Sequence, residues 1–347
     1  MTLYFLGTKA SANFFLTQII RFVWVHLLQK KKKNRKLSFE RKKLSIFAYQ
    51  ELTQPIPFSW GEHPLIHNNS YGLSYTLQKY ARLKKIDRRL YFEHGAVIGP
   101  IFVNVPKETF ANKIGVFGQE RKELLQNRID CPVLKTGPYI RYAPLLYSSK
   151  KMDAMKQELG RTLLVFPAHS VKAVQAHFDI EKLIQDIQKK EKGFDSVLVC
   201  LHWQDIAAGR EKEYLAAGYK IVTAGHINDL FFLSRLKTII ALADYTMSNS
   251  LGTHVPYCLA EGKPHLIIKQ RAYYKKREDK EGKKYRKDLE KFEEKDKQAS
   301  QKAINKISSH FEEYVPKITE DQKQTANYLW GLNETKTPEE LRLLLQS

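Results

Sequence analysis

From Thr162 onward the chain alternates short apolar runs with helical periods, and that alternation restricts its fold more than any other feature. TLLVFPAHS reads as a buried strand whose end is marked by Pro167. DIEKLIQDIQKK places Ile180, Leu183, Ile184 and Ile187 on one face of a helix. SVLVCLHW, YKIVTAGH, YTMSN and HLIIK read as further strands. EKEYLAAG, FLSRLKTIIALA and a helix after SNSLGT read as the elements between them. Strands that alternate with helices in this way form a parallel, doubly wound sheet, and such sheets bind ligands beyond the carboxyl ends of their strands. Those ends carry Ala168-His169-Ser170, His202-Trp203, Gly225-His226 and Ser248-Asn249-Ser250.

The stretch Tyr245 to Ile268 has the most specific chemistry. A Ser/Asn/Gly/Thr turn at a helix start leaves backbone N–H groups unpaired at the positive end of the helix dipole, a setting suited to phosphate. Ser248, Ser250 and Thr253 add hydroxyls, and Gly252 permits close approach to the backbone. An N-capped helix with nothing bound is the competing reading.

The first half is less regular. LYFEHGAVIGP predicts a strand over Leu90–Glu93 that ends in His94-Gly95, and NKIGVFGQERKELLQ predicts a strand that runs through Gly118 into a helix. GLSYTLQKYARLKK predicts another helix, and GPYIRYAPLL an irregular crossing segment. Two α/β halves with a connector near residues 139–149 predict two facing domains with a cleft between them, which 347 residues accommodate.

Taken in order, the EHG turn, FPAHS, HINDLFFLSRLKTIIALAD and SNSLGTH, with G-K-P and a strand behind, resemble bacterial capsule and lipopolysaccharide glycosyltransferase-like proteins of the GT-B fold. These proteins are related more distantly to teichoic-acid glycerophosphotransferases and polysialyltransferases. The likeness spans roughly residues 57–269. It implies two facing Rossmann-like domains with parallel sheets, to which the flanking residues themselves add an N-terminal amphipathic helix and closing C-terminal helices. The expected boundaries are a basic membrane-proximal segment (1–44), an acceptor-side domain (45–150), a donor-binding domain (151–270) and a charged helix with closing helices (271–347). The resemblance further implies a nucleotide-sugar donor whose phosphates lie on Ser248, Ser250, Gly252 and Thr253, and a glycan or lipid-linked glycan acceptor. No donor-specific signature is matched, so nucleotide and sugar stay open.

The remaining candidates follow from their settings. His94 is the candidate base for an inverting transfer, with Glu93 and Glu62 as carboxylate alternatives. His169, Ser170, His226 and His254 are candidates for phosphate or base contact, with Gly225 and Asn249 at the same strand ends. Trp203 is a candidate stacking platform or a core residue, and Glu261 a ribose contact or a solvated helix end.

No Asp-x-Asp, no G-x-x-x-x-G-K-[ST] and no strand-linked G-x-G-x-x-G occurs, so neither a metal nor a further cofactor is expected. Cys131, Cys200 and Cys258 match no disulfide or zinc spacing.

The formal charge of +21 raises a nucleic-acid reading, but the basic residues gather in two flanking segments and no nucleic-acid module is present. SANFFLTQIIRFVWVHLLQ followed by KKKKNRK predicts a surface helix beside a polybasic patch, hence a cytoplasmic protein peripheral on the anionic inner face of the membrane. A helix docked on the first domain is the alternative. Gln270 to Lys306 predicts a solvated helix. A non-hydrolysing nucleotide-sugar epimerase and a non-catalytic basic envelope-binding protein are the competing functions.

Overall fold

The computed structural model describes residues 29–58, 62–100, 111–170, 174–270, 273–276 and 294–346. The apolar run before residue 29 and most of the charged segment after Lys276 lie outside them.

Two parallel sheets organise the chain. The first holds β1 (Leu90–Phe92), β2 (Lys113–Val116) and β3 (Val133–Lys135) in sequential order. The second holds β4 (Thr162–Phe166), β6 (Ser196–Cys200), β7 (Lys220–Val222), β8 (Tyr245–Ser248) and β9 (His265–Ile267) in the order β7-β6-β4-β8-β9. Its first strand therefore lies in the middle. The chain winds outward to one side, returns, and winds outward to the other, so a topological switch point falls between β4 and β8.

Strand faces follow the sequence with a period of two. Leu164, Phe166, Leu198 and Cys200 face a core shared with the first half, where Leu77, Phe92, Phe117 and Tyr139 meet them. Leu163, Val165, Val199 and Met247 face a second core under the helix α6 (Ile180–Lys190), which contributes Leu183 and Ile187. Asp179 caps α6 by accepting the N–H of Lys182 at 2.9 Å.

Three elements depart from the sequence reading. Trp203 begins a helix, α7 (Trp203–Ala207), instead of ending β6. Tyr273–Lys276 is a strand, β10, paired antiparallel with β5 (Val174–His177), so the expected solvated helix is confined to α11 (Glu294–Ser309) among the described residues. A helix over residues 29–41, α1, docks through polar side chains and through Phe39, whose ring meets Phe231 at 5.1 Å. Asn34 donates to the carbonyls of Pro57 (3.3 Å) and Asn228 (3.0 Å), and the Ser38 hydroxyl accepts the N–H of Leu230 at 3.2 Å. Its other face exposes Lys30, Lys32, Lys33, Arg35 and Lys36. Among the described residues no helix is long and apolar enough to cross a membrane.

The last helices, α12 (Glu320–Trp330) and α13 (Pro338–Gln346), return to the first half. Trp330 and Leu341 are buried in the shared core, and the Asp87 N–H donates to the Leu345 carbonyl at 2.8 Å.

Candidate functional site

Between the carboxyl ends of the two sheets lies a cavity of about 230 Å³. β1 delivers His94 and Gly95. β4 delivers Phe166, Pro167 and His169, β6 delivers Cys200, Leu201 and His202, and β7 delivers Thr223, Ala224 and Gly225. Beyond β8, Thr253 and His254 stand at the start of α10 (His254–Ala260), which also contributes Tyr257. The far wall is Tyr71 and Leu73, where α3 (Leu73–Tyr80) begins, with Phe232, Leu233 and Leu236 from α9 (Phe232–Leu242).

None of the described residues lining this cavity is Lys, Arg, Asp or Glu. Its titratable groups are four histidines, Cys200 and three tyrosines. The His169 and His202 rings lie 4.7 Å apart, His254 stacks on Phe166 at 5.0 Å, and His94 stands 5.6 Å from His67. Both ring nitrogens of His94, both of His202 and Nε2 of His254 are shut from water and make no hydrogen bond among the described residues. A buried polar atom without a partner costs about 1–3 kcal/mol, a cost that a ligand with matching donors and acceptors removes.

Burial also sets their charge. It lowers His94 and His254 to about 3, with the neighbouring His67 and His169 respectively adding to the effect. Burial, then His169 and His226, pushes His202 well below the ordinary imidazole range. All three are neutral near pH 7. Burial raises the Cys200 thiol to about 12, so it stays protonated.

Several sequence candidates are occupied elsewhere. The carboxylate of Glu93 receives Nε and Nη2 of Arg121 at 2.7 and 2.5 Å, with both side chains buried. Glu62 receives Nε and Nη2 of Arg35 at 2.9 and 2.8 Å. Neither lines the cavity, and both are anchored as ion-pair partners. The Ser248 hydroxyl donates to the Ser250 carbonyl at 2.8 Å and shares a hydrogen bond with Nε2 of His265 at 2.9 Å, so it is closed to a phosphate. Asn249 bridges two loops: its Oδ1 accepts the Ala168 N–H at 2.7 Å and its Nδ2 donates to Gln270 at 2.6 Å.

Ser170 donates its N–H to Asp205 at 3.1 Å, and its hydroxyl accepts the Ala176 N–H at 3.2 Å. Glu261 pairs with Lys237 at 3.4 Å. Ser250 and Gly252 precede Thr253 in the same loop, outside the cavity lining. Trp203 and His226 pack on each other at 4.6 Å behind His202 and support that wall without lining it. His94, His169, Gly225, Thr253 and His254 do line it.

The sequence reading placed His202 at a strand end but weighed only its neighbour Trp203 as a site residue, and it did not single out Tyr71. Tyr71 has φ 60° and ψ 17°, a left-handed conformation that costs a tyrosine about 1–3 kcal/mol. Its N–H donates to the Ile227 carbonyl of the second half at 2.7 Å, and its ring meets Phe232 at 4.9 Å and His94 at 6.1 Å. The YG pair before α3 is the only sequence signal for this turn.

No protein-family model matches the chain, and no curated protein matches it in sequence. Among solved structures it is similar to the wall teichoic acid polymerase TagF, with 9% identity over 74% of this chain and 67% of that one, at a TM-score of 0.35. It is also similar to UDP-GlcNAc 2-epimerase from Neisseria meningitidis bound to UDP-GlcNAc, with 12% identity over 78% and 70% of the two chains, at a TM-score of 0.34.

Proposed function

We propose that this chain is a glycosyltransferase, or a related glycerophosphate-type transferase, that moves its group from a nucleotide-activated donor to a hydroxyl of a bacterial surface polysaccharide or lipopolysaccharide. The observation that carries the reading is the set of partnerless imidazole nitrogens around a cavity at the switch point of a parallel sheet. A purely structural histidine cluster would satisfy its own nitrogens, as His265 does with Thr246 and Ser248.

In this reading His94, on the first half, faces the acceptor. Its imidazole takes the proton of the acceptor hydroxyl, the oxygen attacks the anomeric carbon, and the nucleotide leaves with the bonding electron pair. Burial keeps the ring unprotonated and therefore able to accept, and the incoming anionic donor raises its proton affinity. Thr253, His254, His169 and His202, on the second half, hold the donor. No metal takes part in this scheme. In the same reading the exposed lysines of α1 contact anionic lipid on the inner face of the membrane, at about 1 kcal/mol per cation near the surface.

Screening nucleotide donors by thermal shift, followed by transfer assays with and without acceptor, tests the proposal. A stabilising donor that is consumed only with acceptor supports it. A donor converted without acceptor identifies an epimerase, and no stabilisation by any nucleotide identifies neither enzyme.

A further inference from the structure

We infer that the cavity recognises the phosphate of its ligand through histidines that take up protons as the ligand enters, in place of permanent cations. The inference deepens the transferase reading and rests on it for the identity of the ligand. The chain has 58 lysines and arginines, yet none of the described ones lines the cavity. A phosphate entering there meets imidazoles instead. A neutral imidazole offers one N–H donor, whereas a protonated one offers two together with a charge.

The surroundings keep the rings neutral until an anion arrives. His202 is faced by His169 from the β4 end and by Trp203 and His226 behind it. The nearest carboxylate in α7, Asp205, is already committed to the Ser170 N–H and to Arg210 at 3.2 Å. His254 is faced by Phe166, by His265 at 5.5 Å and by the charge field of His169. His94 is faced by His67 and Tyr71. Arg41 adds positive potential at His226. With histidines and one arginine around them and no free carboxylate among these neighbours, protonation of one ring is unfavourable in the empty cavity. A bound dianion reverses the sign of the local potential, so its binding and the protonation of His202 or His254 are mutually favourable. Affinity then falls by roughly tenfold per pH unit for each proton taken up.

Sulfate is the probe, because it keeps the same charge across the range tested. With the intact protein labelled at histidine nitrogen, long-range ¹⁵N spectra near about pH 6.5 report the state of each ring. The inference expects one or more cavity histidines to change from neutral to imidazolium as sulfate saturates. It also expects sulfate affinity to fall about tenfold per unit between about pH 6 and 8. His202→Gln should weaken sulfate by at least tenfold at the lower pH and flatten that slope.

Rings that stay neutral while sulfate binds with constant affinity would overturn the inference, as would failure of sulfate to bind at any pH. In either case a nucleotide sugar that still stabilises the protein would leave the transferase reading standing.

Discussion

The Thr253 hydroxyl accepts the backbone N–H of Ala96 at 3.1 Å, tying the turn after β1 to the start of α10 across the cleft. Gly95 makes this approach possible. It has φ +73°, and a Cβ there would stand 2.1 Å from the Thr253 hydroxyl oxygen. Gly95→Ala is therefore expected to destabilise the fold by about 1–3 kcal/mol through the left-handed backbone and the clash together. Thr253→Ala removes the clashing oxygen, so the double variant should be more stable than the sum of the two single losses. Urea denaturation of the four proteins measures the coupling, and strict additivity would count against the contact.

The buried pair of Glu93 and Arg121 yields a second expectation. Removing one partner leaves the other charged and shut from water, which costs about 3–5 kcal/mol. Glu93→Gln and Arg121→Met should each lower the denaturation midpoint sharply. Any activity lost by Glu93→Gln should track the unfolded fraction. A stable Glu93→Gln protein with no turnover would restore Glu93 as a catalytic candidate.

Tyr71 is held in a strained conformation at the cavity wall, so its ring is expected to matter more for ligand than for stability. Asparagine adopts the left-handed region more readily. In Tyr71→Asn, relief of strain offsets part of the lost contact with Phe232, and stability should change by less than about 2 kcal/mol. Turnover should fall by at least about tenfold, equivalent to ~1.4 kcal/mol of transition-state binding. Unchanged turnover with a large loss of stability would make Tyr71 a packing residue.

Acid should unfold the protein through its histidines. Burial lowers His94 and His254 to about 3 and His226 to about 4, with Arg41 adding to the effect at His226. The unfolded chain, with imidazoles near ~6.5, binds more protons than the native one below that pH. Stability is thus fully present above about pH 6.5 and falls as pH drops towards 4, by up to ~1.4 kcal/mol per unit for each histidine. Thermal melts from about pH 8 to 4 check the sign; a midpoint that rises on acidification would refute it.

The second sheet was legible because its central strands are buried on both faces and read as unbroken apolar runs, as in Leu163–Phe166 and Val197–Cys200. β3 and the β5–β10 pair were not, since VLK is short and VQAH and YYKK are polar or charged. At the site, the histidines at strand ends announced themselves by position. The commitments of Ser248 to His265 and of Glu93 to Arg121 span 17 and 28 residues of sequence, and contacts of that range leave no local pattern.

The most direct test of the account is the kinetics of His94→Gln on a donor that the wild-type protein turns over. Loss of a general base costs roughly 10²–10⁴-fold in rate, while donor affinity should stay within about twofold because the donor is held by the other half. That split, with low turnover and unchanged donor binding, is the result the account predicts. Near-full turnover by a folded His94→Gln protein would contradict it.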